Sequence, residues 1–392
     1  MFNAKQWKKL QPLVADAGVD GWLIFDFRGC NRIAAAVLGR EIVGTRRAYV
    51  LLPRAGAPVA LVHAIDNELW AAWPSQWTKH VWVTREQLAA HVQKLVGGKT
   101  LALEYSPAGR IPYLDAVPSG VMEFLRSFKA KLVTSADLVT KYCSVWTPAD
   151  IASHLRAAQH VSRIGQAAIA LAGKRARTKQ PITEYELAQW ILQRFARAGL
   201  VTESGPSVSF GQNAARNHYE PTATDCAKIV PGKFLLVDLW AKEPGGIYAD
   251  QTWMASIGEP STRDRRIWET ILTARDAALD LIRTRIRARQ PVRGAEADAA
   301  VRAVFTAAGF EHNIEARTGH SIDRYGLHGF GPTIDDTETF DDRLLVPGVG
   351  FSVEPGIYLT GVAGARTEVN VFVGKSDVTI TPHDYQRELF IV

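Results

Sequence analysis

Apolar residues recur every three or four positions in the middle of the chain. Ile151, Leu155, Ala158, Val161, Ile164, Ala168 and Leu171 fall on one face of a long predicted helix. Thr147 is placed to cap it, Pro148 suits its first position, Asp150 complements its positive end, and Gly173 is the expected stop. Upstream the pattern differs. Gly21–Phe25, Ala48–Leu52 and Thr100–Leu103 are short apolar runs that read as buried strands, interleaved with helical stretches such as Val121–Phe128. Because 392 residues exceed what one hydrophobic core sustains, the change of pattern at Trp146-Thr147-Pro148 marks a domain boundary. The expectation is a small α/β domain over 1–146 and a second domain over 147–392.

The second region repeats itself. Glu186, Phe195, Ala198 and Gly199 recur as Glu296, Phe305, Ala308 and Gly309, and the same offset of 110 carries His218 onto His328. Pro231-Gly232 precedes Val237-Asp238 at the spacing by which Pro347-Gly348 precedes Val353-Glu354. Each half reads as helix, loop with His, turn, and strand with an acidic residue. Such an order points to an ancient duplication, with Asp238 and Glu354 in symmetry-related places.

Composition changes this picture little. The formal charge of +6 is spread along the chain, and the basic residues from Arg263 to Arg293 fall among apolar ones at helical spacing, as on a solvated helix face. No nucleic-acid module is present. No apolar run approaches the ~20 residues that span a bilayer. The start of the chain reads as an amphipathic helix, so a cytoplasmic location is expected. Cys30, Cys143 and Cys226 are odd in number and widely spaced, as expected of reduced, mostly buried thiols.

The informative chemistry is acidic. Asp238 lies in the strand-like run Phe234–Trp240, and Asp250 follows after a Pro244-Gly245-Gly246 turn, as on the returning strand of a hairpin. Glu354 and Glu368 lie in a second strand-like pair, read as two strands joined by a turn. Four carboxylates buried on paired strands require cations. Together with the imidazole of His320 they form an oxygen-rich donor set suited to Mn, Zn or Co ions.

Those segments carry a resemblance. Val237-Asp238 with Tyr248-Ala249-Asp250-Gln251-Thr252, Gly319-His320, Glu354-Pro355-Gly356-Ile357-Tyr358 and Arg366-Thr367-Glu368 resemble the pita-bread metallopeptidases, the group of methionyl aminopeptidase, aminopeptidase P and prolidase. The region before Pro148 resembles the creatinase-like domain of the proline-specific branch. The resemblance implies a creatinase-like α/β domain followed by a duplicated α+β catalytic domain. It also implies two divalent metal ions: Asp238 chelates one, Asp250 and Glu368 bridge both, and His320 and Glu354 complete the second. The ions would acidify a water for attack on the scissile carbonyl, with Glu354 as proton shuttle. His218 and His328 match substrate-side histidines, and Tyr358 and Arg366 are candidates for anchoring the substrate.

This chain departs from the family pattern in four places. The Asp238–Asp250 and His320–His328 spacings are each one residue longer than usual. Trp253 stands where Arg commonly follows the Thr, and Gly329 where an acidic residue often follows the second His. The expected activity is hydrolysis before proline, favouring Xaa-Pro dipeptides because Arg366 and His218 are placed to meet a proline carboxylate. Aminopeptidase P activity on longer peptides is the alternative. A non-catalytic peptide-binding protein on the same fold and a metal-free, creatinase-like hydrolase are further readings. The resemblance also implies a homodimer.

Overall fold

The computed structural model describes residues 2–39 and 44–392, which divide into two compact units, Met1–Cys143 and Ser144–Val392. The division falls three residues before the expected junction. Val145 bridges Val349 and the Trp146 indole donates to Ile322 O at 2.8 Å, so both belong to the second unit.

The first unit runs α1 (Ala4–Asp16), β1 (Gly21–Asp26), α2 (Arg32–Leu38), β2 (Ala48–Pro53), β3 (Val59–His63), β4 (Thr78–Trp82), α3 (Arg85–Val96), β5 (Thr100–Leu103), α4 (Ser119–Ser127), β6 (Lys131–Thr134) and α5 (Ala136–Cys143). Its strands form one mixed sheet in the order β4-β3-β2-β1-β5-β6. The central strand β1 is buried along its whole length, which is why its sequence is apolar without alternation.

The second unit contains two helix pairs and two sheets. The first half has α6 (Pro148–Arg177), α7 (Glu184–Arg197), β7 (Ser207–Phe210), β8 (Lys233–Ala241) and β9 (Ala249–Ile257). The second half has α8 (Thr262–Arg287), α9 (Gly294–Ala307), β10 (Ser321–Ile322), β11 (Gly350–Val353), β12 (Gly356–Leu359), β13 (Ala363–Arg366), β14 (Val369–Val373) and β15 (Val378–Thr381), and the chain ends in β16 (Phe390–Ile391). The sheets are ordered β16-β9-β8-β7 and β10-β11-β14-β15, with β12–β13 a separate hairpin.

The duplication extends to backbone conformation. Lys179 and Arg289, at the ends of α6 and α8, have φ of 56° and 55°, and Gly232 and Gly348 have φ of 107° and 103°. Gln180 N–H closes onto Arg175 O at 3.0 Å and Gln290 N–H onto Arg285 O at 2.8 Å. Such agreement at rarely populated dihedrals requires the same turn, built twice.

Several local expectations are corrected. Helix α6 continues past Gly173 to Arg177, because Gly173 lacks the side chain that would strike Val392 and does not serve as a stop. The second acidic pair is not a simple two-strand turn: β11 and β14 pair directly, and the β12–β13 hairpin is inserted between them. Only Cys143 is buried, while Cys226 is partly exposed and Cys30 exposed. The basic helix α8 is solvated along most of its charged face, but Arg275 is wholly buried. No helix among the described residues is long and apolar enough to cross a membrane.

Candidate metal centre

Strands β8 and β9 pair antiparallel with Asp238 opposite Thr252 and Asp250 opposite Trp240. Side chains alternate along a strand, so Asp238, Asp250 and Thr252 share one face, and Gln251 and Trp253 point to the other. That other face packs on α6. Gln251 donates to Ala158 O at 2.9 Å, and Trp253 stacks on Phe390 and lies against Gly165, where any side chain would clash. Trp253 is therefore a core residue turned away from the acidic face.

The second half supplies the opposing wall. Val353 of β11 pairs with Val369 of β14, which sets Glu354 and Glu368 side by side at the same end of that ladder. The segment holding His320 runs beside β11: Ser352 N–H donates to His320 O at 2.9 Å, and Glu354 N–H to Thr318 O at 2.7 Å. This approach requires glycine at 319, since a Cβ there would lie 2.0 Å from Ser352 O.

The halves are stitched together by polar side chains. Asn370 Nδ2 donates to Asp250 O at 2.8 Å and its Oδ1 accepts Asp250 N–H at 2.9 Å. Thr252 Oγ1 donates to Glu368 Oε2 at 2.8 Å and accepts Arg366 Nε–H at 3.0 Å. The Arg366 guanidinium also pairs with Asp238 and lies 3.6 Å from Glu354 Oε2. Nothing in the spacing of apolar residues marks Asn370 and Ser352, which sequence reasoning passed over. The one available signal is that each lies two residues from an acidic residue along its strand.

Charge and hydrogen bonding leave this cluster incomplete. Asp250 Oδ1 and Glu368 Oε1 are buried without a partner. His320 Nδ1 lies 3.2 Å from Ser321 O, and a carbonyl only accepts, so this hydrogen bond assigns the ring proton to Nδ1. Burial holds the His320 pKa below its usual range, so the ring is neutral. Its Nε2 lone pair then faces Asp250 Oδ2 and Glu354 Oε1, each at 3.3 Å. Three electron-rich atoms converge at this point. The ligand-capable atoms of Asp250, His320 and Glu368 all lie within 4.8 Å of one another. Four carboxylates and a neutral imidazole around the Arg366 guanidinium are the donor set for divalent cations, and the residues present fit such a group.

Without cations, burial followed by repulsion from Glu354 pushes Asp250 to about 8. Burial pushes Asp238 to about 7 and holds Glu368 well above the usual carboxylate range. Glu354 differs: burial works to raise it, but His320 and Arg366 outweigh burial and keep it below its ordinary value.

The remaining candidates lie around the cluster. The His328 ring sits 4.2 Å from that of His320, edge to face, and is depressed to about 3 by His320 first and burial second. His218 is exposed on the loop after β7, with φ of 57°. That loop is anchored by the buried Glu184 carboxylate, which accepts Tyr219 O–H at 2.7 Å and Ala227 N–H at 2.6 Å. Tyr358 is buried, and burial raises its hydroxyl. Gly329 packs against the Asp323 carboxylate, which accepts Phe330 N–H at 2.7 Å and Tyr325 N–H at 2.8 Å and so ties the His328 loop together.

The sequence profile of metallopeptidase family M24 matches residues 153–375, more than half of the chain and all of the acidic cluster. The chain belongs to metallopeptidase family M24. Within M24, it is 32% identical over 190 residues to the Xaa-Pro dipeptidase of Lactobacillus helveticus, covering 48% of this chain and 47% of that one. The match thus spans about half the length of that relative. Among solved structures, dipeptidase PepE from Mycobacterium ulcerans superposes with a TM-score of 0.74 at 23% identity, over 99% of this chain and 97% of that one. A prolidase from Thermococcus sibiricus superposes with a TM-score of 0.67 at 22% identity over 100% of both chains. These structures share the fold of both units, a mixed α/β amino-terminal unit and a duplicated pita-bread unit.

Proposed function

We propose that this M24 chain is a dinuclear metal-dependent hydrolase that cleaves the peptide bond before proline, favouring Xaa-Pro dipeptides. The observation that carries the reading is the convergence of Asp238, Asp250, Glu354, Glu368 and His320 with two buried carboxylate oxygens left unpartnered. These five residues would hold two Mn, Co or Zn ions. When bound, the ions would supply Lewis-acid polarisation of the scissile carbonyl and lower the pKa of water. The resemblance to the Xaa-Pro dipeptidase of Lactobacillus helveticus supports the choice of Xaa-Pro dipeptides.

The chain's own groups then divide the work. Glu354 has the lowest-lying carboxyl of the four, and its side chain retains 14% exposure, so it can take a proton and pass it to the leaving nitrogen. His328, held neutral beside the cluster, offers a hydrogen bond to substrate without adding charge. His218 would meet substrate from the loop of the other half. Tyr358 would bound the pocket beside Arg366. Arg366 is engaged by Asp238, Thr252 and Glu354, so its first task in this reading is to orient and partly neutralise those carboxylates.

The test is a matched series of Xaa-Pro dipeptide, Xaa-Pro tripeptide and Xaa-Ala dipeptide, assayed with stripped and Mn²⁺-loaded protein. The reading expects metal-dependent turnover, highest on Xaa-Pro dipeptide. Preference for the tripeptide would make the chain an aminopeptidase. Loaded protein that binds these peptides without cleaving them would favour the binding-protein reading, and undiminished activity after verified metal removal would end the metal mechanism.

A further inference from the structure

Arg275 is the one basic residue of α8 that is fully buried, with its side chain 1% exposed. Its carboxylate partner, Asp276, is half exposed and accepts from Nε and Nη2 at 3.0 and 2.8 Å. The remaining terminal nitrogen, Nη1, points inward. It donates to Thr367 Oγ1 at 2.9 Å and to Gln386 O at 2.7 Å, while the guanidinium carbon lies 4.9 Å from the centre of the Tyr385 ring.

Both inward bonds lead to the metal centre. Thr367 lies between Arg366 and Glu368. Gln386 clamps β9 by its side-chain amide: Oε1 accepts Met254 N–H at 2.8 Å and Nε2 donates to Met254 O at 2.7 Å. Met254 is two residues from Thr252 and four from Asp250. A continuous polar brace therefore runs Met254–Gln386–Arg275–Thr367 behind the centre, and the Thr252–Glu368 bond closes the same circuit in front.

We propose that Arg275 is a positioning residue for the metal centre: through Thr367 on one side and Gln386 with Met254 on the other, it fixes the separation of Glu368 from Asp250. The inference rests on the dinuclear reading given above. A buried guanidinium is a poor choice for stability alone, because a well-packed apolar residue of similar volume is often as good or better. What an apolar residue cannot do is tie two strands from different halves at a set distance. Support of this kind governs metal affinity, typically by about 10–100-fold per outer partner.

The test uses the full-length protein, stripped with chelator, dialysed and titrated calorimetrically with Mn²⁺. Electron paramagnetic resonance spectra are recorded at two equivalents. Arg275→Met and Thr367→Val are expected to weaken Mn²⁺ binding by about tenfold and to diminish the signal of the coupled Mn²⁺ pair. Thr367→Ser, which keeps the hydroxyl, is expected to bind as wild type. If Arg275→Met fails to fold, Thr367→Val decides, since it removes one bond and leaves the guanidinium in place. Folded variants with wild-type affinity and spectrum overturn the inference, whatever their melting temperature, because a purely structural role would change only the latter. A wild type that binds no Mn²⁺ overturns the metal reading and this inference with it.

Discussion

Replacing Asp250 by Asn should make the metal-stripped protein more stable, although it destroys the proposed metal site. Asp250 is buried, its Oδ1 has no partner to lose, and carboxylate oxygens of Asp250 and Glu368 lie within 4.8 Å. Burial first and repulsion from Glu354 second keep a proton on Asp250, whose pKa is pushed to about 8. An unfolded aspartate releases that proton near 3.9, so holding it at pH 7 costs about 4 kcal/mol.

The sign follows directly. The native state binds more protons than the unfolded one, so stripped wild type loses stability as pH rises from about 4 to about 8. Asn carries no such cost. Asp250→Asn should therefore raise the melting temperature of stripped protein by about 6–12 °C at pH 7, taking about 3 kcal/mol in a unit of this size. At pH 4.5 the gain should shrink to about 1 kcal/mol. Saturating Mn²⁺ should reverse the order, raising wild type and leaving the variant nearly unmoved. Calorimetric melting at both pH values, with and without Mn²⁺, measures all four quantities. A stripped variant less stable than wild type at both pH values would refute the electrostatic account.

Other expectations concern different parts of the site. Mn²⁺ added at pH 7 should release protons, because Asp238 near 7 and Asp250 near 8 are partly or mostly protonated without it; titration in buffers of different ionisation enthalpy counts them, and no release would contradict the raised values. Gly319→Ala should lower Mn²⁺ affinity at least tenfold, since its Cβ would displace Ser352 and with it the His320 backbone; unchanged affinity would show that the strand yields freely. Truncating Arg366 to Met should reduce kcat/KM about equally for Xaa-Pro dipeptide and tripeptide, by about ten- to a hundredfold for a lost bond to a charged group, and should weaken metal retention. A loss confined to the dipeptide would restore Arg366 as the anchor of the proline carboxylate.

The sequence was most legible where a local rule had one solution. The capped helix from Pro148, the β8–β9 hairpin and the repeat each rest on spacing that neighbouring residues determine. Strand alternation puts Asp238 and Asp250 on one face, and the end of the β11–β14 ladder with its backbone bonds to the His320 segment carries Glu354, Glu368 and His320 to the opposing wall. What could not be read depended on partners far along the chain. Gly173 looks like a helix stop until Val392 is seen to occupy its side-chain space. Trp253 looks like a missing arginine until alternation turns it onto Gly165, and Gly329 like a missing acid until Asp323 fills the space beside it. Arg275 has the spacing of a solvated base, and only the distant Thr367 and Gln386 explain why it is inside.

The loops bearing His218 and His328 are each fastened by one buried carboxylate, Glu184 and Asp323, whereas the acidic wall is woven into two ladders. Such an arrangement separates what may drift from what must stay. Insertions or exchanges between the loop anchors alter the rim and leave the strand registers beneath untouched. The floor tolerates no comparable change, because a slip of one residue in β9 would turn Asp250 and Thr252 into the core and bring Trp253 out. On the peptidase reading proposed above, this molecule is free over evolutionary time to revise which peptides it admits far more readily than the chemistry it performs on them.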